Sequence, residues 1–231
     1  EELKKLGHRV IIVCPKTDKT QHSTESEWRF KSVAYPFQPE HRIISPLSRK
    51  LKQFKNLKPD IIHIQTPFFM GHLGQFLSWK HDIPLVHTYH TYWMEYLYYF
   101  PLLPKKFRRN ADDLFFTKNF CNRCDHVVVP SGQIETYLNK KEVSPPISVI
   151  PTGIKLNNDN ISKKEIETFK EKYKFKKDYK TLIFVGRIGR EKNIYFLIDC
   201  LAKIIKKNPK TQLFIAGDGP EKKQLLNNAI I

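Results

Sequence analysis

A buried strand that runs through a glycine turn into a helix constrains this chain more than any other feature. Residues 181–185 are mostly apolar, which is typical of a buried strand, and the apolar residues of 194–202 recur at helical spacing. The turn between them, residues 186–193, contains glycines together with Arg187 and Lys192. In open α/β sheets, ligands bind at the carboxyl ends of strands, where glycine allows close approach and a helix N-terminus favours negative charge. The segment predicts an anion site, and an ordinary turn with solvated charges is the alternative.

The same alternation of strands and helices extends along the rest of the chain. Strands are predicted at residues 9–14, 32–37, 61–65, 83–88, 125–130, 147–150, 181–185 and 212–216, and helices at 46–57, 71–81, 105–123, 132–138, 163–173, 194–202 and 221–228. Strands and helices that alternate with short connections form a parallel sheet with helices on both faces. The predicted fold class is therefore α/β.

A polar stretch at residues 157–160 interrupts the pattern and predicts a domain boundary. We expect an N-terminal domain over residues 1–154 and a C-terminal domain over residues 155–231. The second domain contains only two clear strands and is shorter than the ~100–150 residues of a typical domain. A helix without a cap begins at residue 1, so we expect both domains to be incomplete and the first strand to be missing.

Composition limits the possible partners. The formal net charge of +17 calls for an anionic partner, which is a phosphorylated ligand, an anionic membrane or nucleic acid. The four cysteines are too few and too scattered for a disulfide framework, which fits a reducing cytoplasm. Cys121 and Cys124 have CxxC spacing without a second pair, so packing explains them better than zinc binding or redox chemistry.

Seven short motifs follow one another in a fixed order. They are LGHRV at 6–10, KPDIIH at 58–63, HTYHT at 87–91, DHVVVPS at 125–131, IPTGI at 150–154, GRIGREKN at 186–193 and GDGP at 217–220. This series resembles the family 4 glycosyltransferases, retaining enzymes with the GT-B architecture of two facing, doubly wound Rossmann-like domains. Residues 87–95 and 107–123 are most similar to the diacylglycerol glucosyltransferase branch.

The resemblance implies transfer of a hexose from a nucleoside-diphosphate sugar to a lipid acceptor at the cytoplasmic face of the membrane. The same chemistry on a soluble or polysaccharide acceptor is one alternative. A non-catalytic, basic α/β protein that binds a membrane or nucleic acid is another. No recognised nucleic-acid-binding module accompanies the positive charge, so we expect no nucleic-acid partner.

Negative charge grows on the leaving diphosphate during such a transfer, and fixed cations and backbone N–H groups stabilise it. By resemblance, Arg187 and Lys192 bind this diphosphate, Arg through its planar fork and Lys as a compact charge. With these charges fixed in place, no metal and no other cofactor is expected, and the sequence contains no Asp-x-Asp motif.

His90 matches the active-site histidine of the family, and it follows the predicted strand at 83–88. A neutral imidazole there can hydrogen-bond the transferred sugar or polarise the acceptor. His87 lies within the strand and is interpreted as a buried, hydrogen-bonded histidine. Thr91 and Tyr92 either line the acceptor side or pack in the core.

The remaining donor contacts are also assigned by resemblance. They are Thr152 and Gly153 in the turn at 150–154, Gly186 and Gly189 in the turn at 186–193, and Asp218 and Gly219 in the turn at 217–220. A hinge without ligand is the alternative at 152–153, and a simple turn is the alternative at Asp218. Two family features are absent from the sequence: the acidic motif of paired Glu and the glycine-rich loop after the first strand.

The segment at 105–123 has the pattern of a basic amphipathic helix. Its cations include Lys105, Lys106, Arg108 and Arg109, and Phe107, Ala111, Leu114 and Phe115 form one stripe. Such a helix fits an anionic membrane surface. A surface helix whose stripe packs on its own sheet is the alternative.

Overall fold

The computed structural model describes residues 2–18, 20–35, 38–44, 49–97, 104–154 and 161–228. Its strands, in chain order, are β1 (Ile12–Pro15), β2 (Glu27–Phe30), β3 (Ser32–Tyr35), β4 (Gln38–Ile44), β5 (Ile62–Ile64), β6 (Leu85–Thr88), β7 (His126–Val129), β8 (Ile147–Val149), β9 (Lys180–Val185) and β10 (Thr211–Ala216). Its α-helices are α1 (Glu2–Lys5), α2 (Arg49–Leu57), α3 (Phe69–His81), α4 (Arg108–Ala111), α5 (Lys118–Cys121), α6 (Gly132–Lys140), α7 (Lys163–Lys172), α8 (Ile194–Lys207) and α9 (Lys222–Asn228).

The chain divides into two compact units, Glu1–Gly153 and Ile154–Ile231. The first unit contains a four-stranded sheet in the order β5-β6-β7-β8, and all of its strands are parallel. Helical segments connect each of these strands to the next, as a parallel sheet requires. Strands β1 and β2 form a separate parallel pair, and β3 and β4 form an antiparallel pair.

The core of the first unit lies on one face of the four-stranded sheet. The register aligns Ile64 with His87 and His87 with Val127, so these residues point to the same face. Gln75 of α3 donates to the backbone oxygen of Phe120 there at 2.8 Å, and Leu138 of α6 is fully buried against Val127. Helices α3, α5 and α6 therefore cover the apolar face.

The second unit is built around the parallel pair β9 and β10, with α8 between them in the chain. Its core contains Ile188, Ile194 and Leu225, with Phe184 and Ile215 packed against them. Helix α7 begins with a capping box, in which Ser162 and Glu165 exchange side-chain and backbone hydrogen bonds. The predicted α/β class is confirmed in both units.

Two strands that the sequence did not predict are β2 and β4. Strand β2 begins at Glu27, where a polar stretch ends, and β4 contains proline and charged residues. Each forms because a neighbouring strand supplies the pairing, β1 for β2 and β3 for β4. Tertiary pairing outweighs intrinsic strand propensity at such positions.

The single helix predicted over 105–123 is wrong. The segment contains a 3₁₀ turn (Lys105–Phe107), α4, a π-helical turn (Asp112–Phe116) and α5. The extra residue in a π turn rotates the side chains that follow it relative to an ideal α-helix. None of the helices in the described ranges has the length and apolar content needed to cross a lipid bilayer.

Candidate active site

Two glycine-containing loops lie side by side at the carboxyl edge of the second unit's sheet. Gly186 follows β9 directly, and Gly217 follows β10 directly. Because Val185 and Ala216 are in register, the loops leave the sheet together. The Gly186 N–H donates to the Ala216 oxygen at 3.0 Å, and the Ile188 N–H donates to the Asp218 oxygen at 2.8 Å. Backbone atoms therefore hold the two loops against each other.

This close approach explains two of the glycines. A Cβ on Gly217 would lie 1.9 Å from the Gly186 oxygen, and a Cβ on Gly219 would lie 2.2 Å from the Ile188 oxygen. At Gly189 the nearest atom is a carboxylate oxygen of Glu191 at 2.4 Å, which belongs to a flexible side chain. Backbone contact therefore requires glycine at 217 and 219, and the sequence motif at 217–220 gave no role to Gly217.

The predicted diphosphate residues lie on a loop that the core anchors at two points. Ile188 and Ile194 are both buried, and they bracket a 3₁₀ turn at Arg190–Lys192. Asn193 has a φ of 49°, the left-handed conformation that Asn tolerates, and α8 begins at the next residue. Arg187 is half-buried and Lys192 is exposed, so two cations lie on the loop that leads to the N-terminus of a 14-residue helix.

Asp218 has local partners in this loop. Its Oδ1 accepts from the Gly219 N–H at 2.8 Å and lies 3.5 Å from the Lys222 Nζ. The side chain is exposed, so it stabilises the turn and remains accessible. The contact of Asp218 and Gly219 with a donor stays a prediction.

In the first unit, His90 lies just beyond the carboxyl end of β6. Its Nε2 is 2.7 Å from Oε1 of Gln65, which follows β5 directly. Two residues earlier on each strand, His63 Nε2 is 2.7 Å from the Thr88 hydroxyl. Strand alternation places these four side chains on the face opposite to the apolar core. The sequence analysis identified His90 and missed Gln65, His63 and Thr88.

His87 points to the other face of β6, where it is 1% exposed. Its Nδ1 is 3.1 Å from the Ile64 backbone oxygen, and its ring contacts Tyr89 and Phe120 edge-on. Burial, the largest effect, lowers the pKa of His87 to about 4. The interpretation of His87 as a buried, hydrogen-bonded histidine is confirmed.

Burial is also the main cause that lowers the pKa of His63, and the His90 charge lowers it further. The same charge contributes to the lowered pKa of His87. A positive charge on His90 therefore disfavours protonation of His63 and of His87. Charge coupling links the three histidines at this edge.

The chain on either side of His90 is linked to the π turn, through a buried network at Tyr89 and through a ring contact at Tyr92. Thr117 donates to Asp112 Oδ1 at 2.8 Å, so the Tyr89 hydroxyl, 3.1 Å away, donates to Thr117. Tyr137 donates to Asp112 Oδ2 at 3.2 Å, and burial raises the pKa of Asp112. The Tyr92 ring lies 4.7 Å from the Tyr137 ring. Tyr92 therefore packs partly against α6 while 37% of it stays exposed.

Thr152 and Gly153 are exposed, and they follow β8 at the same edge of the sheet as His90. Apart from its chain neighbours, no atom of the described residues lies within 4 Å of a Cβ built on Gly153. Packing among the described residues therefore does not explain this glycine. Both the donor contact and the hinge interpretation stay predictions.

The basic segment exposes its apolar stripe. Phe107 is 48% exposed, Leu114 50% and Phe115 49%, and the Lys106 Nζ lies 5.0 Å above the Phe107 ring. Arg108 is half-buried, and the side chains of Lys105 and Arg109 lie outside the described residues. About half of each of these three apolar side chains therefore remains accessible.

Among the described residues, no group of three or more His, Cys, Asp or Glu could hold a metal ion. Cys121 and Cys124 are both buried in the core. Burial raises the pKa of Cys121, and it raises that of Cys124 to about 12. Both thiols therefore stay protonated at neutral pH, as the packing interpretation requires.

Comparisons with known proteins agree with these motifs. The profile described as Glycosyltransferase Family 4 matches residues 1–158, and the one described as Glycosyl transferases group 1 matches residues 165–230. The alpha-monoglucosyldiacylglycerol synthase of Streptococcus pneumoniae (strain ATCC BAA-255 / R6) is 32% identical over 226 residues, which are 95% of this chain and 50% of that protein. The protein of the same name from Acholeplasma laidlawii is 29% identical over 231 residues, which are 96% of this chain and 58% of that protein.

The chain thus spans between 50% and 58% of the length of these two curated relatives. The crystal structure of a glycosyltransferase from Rickettsia africae ESF-5 shares the fold, with a TM-score of 0.50 at 16% identity over 93% of this chain and 62% of that chain. The predicted GT-B class and the resemblance to the diacylglycerol glucosyltransferase branch are confirmed. The chain belongs to Glycosyltransferase Family 4.

Proposed function

We propose that this protein is a retaining glycosyltransferase that moves a hexose from a nucleoside-diphosphate sugar to a membrane lipid such as diacylglycerol. The observation that carries the proposal is the pair of interlocked glycine loops at the carboxyl edge of β9 and β10, which present Arg187 and Lys192. The names of the two curated relatives support a lipid acceptor.

The loop at 186–193 supplies what a departing diphosphate needs. Its bare backbone allows close approach, and its two cations and the N-terminus of α8 favour negative charge. Since the core anchors Ile188 and Ile194, these groups are held before the reaction begins. Preorganised charge costs no reorganisation when the transition state forms, so it lowers the barrier directly. This arrangement does not call for a metal or another cofactor.

His90 is proposed to form a hydrogen bond with the transferred sugar or with the acceptor hydroxyl. It lies at the edge of the first unit's sheet and is exposed. Its imidazole can exchange hydrogen bonds with a hydroxyl group, whereas a buried histidine such as His87 cannot reach one. Thr152 and Gly153, at the end of β8, are proposed to contact the donor.

The basic segment is proposed to hold the protein on the cytoplasmic face of an anionic membrane. Phe107, Leu114 and Phe115 offer apolar area to the interface, and Lys106 adds positive charge beside them. The acidic residues of the segment have a cationic neighbour, because the Lys141 Nζ lies 2.6 Å from Asp113 and 3.7 Å from Asp112. The exposed charge of Lys106 suits anionic headgroups.

A transfer screen of the full-length protein tests this proposal. A panel of nucleoside-diphosphate hexoses is combined with diacylglycerol in anionic vesicles, with soluble sugars and with polysaccharide, and products are identified by mass spectrometry. The anomeric configuration of the product, determined by NMR, tests the retaining mechanism.

We expect a glycolipid that forms only with the lipid acceptor and keeps the anomeric configuration of the donor. Transfer to a sugar or polysaccharide alone would replace the lipid acceptor with a soluble one. Neither transfer nor hydrolysis of any donor would favour a non-catalytic binding protein.

A further inference from the structure

In the hydrogen bond between Gln65 and His90, the Gln65 amide presents its oxygen to the imidazole. An amide oxygen only accepts, so the His90 Nε2 that lies 2.7 Å from Gln65 Oε1 must carry the proton. In the neutral imidazole the other nitrogen, Nδ1, then has a lone pair. The partner of one ring nitrogen thus determines which chemistry the other can perform.

We propose that Gln65 is the positioning residue of His90: it holds the imidazole as the Nε2–H tautomer, so that Nδ1 accepts a hydrogen bond from a substrate hydroxyl. This inference rests on the proposed function, because it deepens the role of His90 in that site. It also narrows the ligand chemistry. A hydroxyl can donate to Nδ1, whereas a phosphate or carbonyl oxygen cannot.

Packing of the neighbouring backbone fixes the position of Gln65 beside His90. Gln65 follows β5 directly, and the next residue, Thr66, has its backbone oxygen 2.1 Å from the position of a Cβ on Gly71. Only glycine at 71 lets the start of α3 pack so closely against this turn. The backbone beside Gln65 is therefore held by α3.

A second side-chain pair supports the same alignment. His63 and Thr88 are hydrogen-bonded at 2.7 Å and are 25 residues apart, the same separation as Gln65 and His90. Both pairs join the end of β5 to the end of β6 on the polar face of the sheet. The hydrogen bond of Gln65 is thus one of two equivalent side-chain pairs between these strands.

The Gln65 side chain that faces His90 is an uncharged amide. A positive charge on His90 lowers the pKa of His63 and of His87. An uncharged acceptor such as Gln adds no carboxylate that would favour the imidazolium.

Imidazole nitrogen NMR of the ¹⁵N-histidine-labelled full-length protein tests the proposal, with the His90 signals assigned by loss in His90→Gln. We expect the Nε2–H tautomer in the unmodified protein and a mixture of tautomers in Gln65→Ala. Exposed Gln53 on α2 provides the matched control, and Gln53→Ala should leave the spectrum unchanged. A His90 tautomer that is the same with and without Gln65 would overturn the proposal.

Transfer kinetics give a second readout. Gln65→Ala should lower kcat about 3- to 10-fold, as expected for one neutral hydrogen bond, with KM for the donor unchanged. Gln65→Glu keeps an acceptor oxygen but favours the imidazolium, so the acid limb of its pH–rate profile should move up by about 1 pH unit. A kcat that is unaffected in Gln65→Ala, or an unmoved acid limb in Gln65→Glu, would count against positioning.

The two readouts separate this inference from the proposed function. The tautomer is measured without substrate, so a protein that transfers no sugar but shows the Gln65-dependent tautomer contradicts only the proposed function. A protein that transfers sugar with a tautomer independent of Gln65 contradicts only the positioning role.

Discussion

At the carboxyl edge of the first unit's sheet, side chains are hydrogen-bonded to one another. At the carboxyl edge of the second unit's sheet, the backbones of two loops are hydrogen-bonded to each other. His90 with Gln65 and His63 with Thr88 are pairs of side chains. The loops that begin at Gly186 and Gly217 are joined by backbone hydrogen bonds, and they lie so close that no Cβ fits between them. The same strand geometry thus supports two kinds of site.

The difference teaches where each site is sensitive to substitution. A side-chain site can lose its chemistry while its backbone stays in place, because the strands beneath it are held by a separate apolar face. A backbone site loses its shape when a side chain is added, even a methyl group. Backbone N–H groups and cations in fixed positions bind a polyanion well. An imidazole of defined tautomer is better suited to hydrogen-bond a hydroxyl group.

The largest expected effect concerns the cations of the second unit. Arg187→Ala and Lys192→Ala should each reduce kcat/KM by a factor equivalent to about 2–4 kcal/mol, because each removes a fixed charge from the leaving diphosphate. Steady-state transfer kinetics of the full-length protein measure this loss. Both residues lie on a loop, so circular dichroism should show little change in folding.

Lys203→Ala is the matched control, since Lys203 is an exposed lysine further along α8. It should keep normal kinetics. Near-normal turnover in both Arg187→Ala and Lys192→Ala would show that the diphosphate binds elsewhere.

The sequence predicts features that depend on neighbours along the chain. The turn at 186–193 and the position of His90 after β6 follow from a strand, its end and the residues directly behind it. Gln65 could not be identified in this way, since its partner is 25 residues distant and meets it only when β5 and β6 align. The role of Gly217 depends likewise on the Gly186 backbone across the sheet.

In the basic segment, too, the local sequence pattern predicts only part of the structure. Its composition predicts an apolar stripe beside cations, and Phe107, Leu114 and Phe115 are each about half exposed. Its helical period does not predict the π turn, which coincides with the burial of Asp112 and Thr117 in a polar network. A buried carboxylate that needs partners overrides the local helical pattern.

A second prediction concerns the buried face of β6 and the pH dependence of the free energy of unfolding. Burial lowers the pKa of His87 to about 4, so the unfolded state binds a proton that the folded state does not between pH 4 and its ordinary value of 6.5. Stability is then fully present above about pH 6.5 and falls as the pH decreases, by up to about 3 kcal/mol for this group.

Urea unfolding followed by tryptophan fluorescence measures this, because Trp28, Trp79 and Trp93 all belong to the first unit. His87→Gln should flatten the stability curve between pH 7 and pH 4, whereas the exposed control His22→Gln should not. An unchanged slope in His87→Gln would mean that other groups account for the acid sensitivity.

A third prediction tests the backbone character of the second unit's edge. Gly217→Ala should destabilise this unit by about 1–3 kcal/mol and weaken nucleoside-diphosphate binding, since the added methyl group displaces the Gly186 backbone. Hydrogen exchange of β9, β10 and their loops locates the effect, and calorimetric titration measures the affinity. Gly132→Ala is the control, because open space surrounds that position. Equal protection factors in Gly217→Ala and the unmodified protein would contradict the interlocked loops.

The smallest effect concerns the membrane, and it assigns binding to one unit. Lys106→Gln should reduce affinity for anionic vesicles about fivefold, since a basic residue near such a surface contributes about 1 kcal/mol. Lys164→Gln removes another exposed charge, from the second unit, and should have little effect. Co-sedimentation at two salt concentrations measures both, and the difference should shrink at high salt because the Debye length falls below ~10 Å. If the unmodified protein ignored anionic vesicles even at low salt, the exposed stripe of Phe107, Leu114 and Phe115 would need another explanation and a soluble acceptor would be favoured.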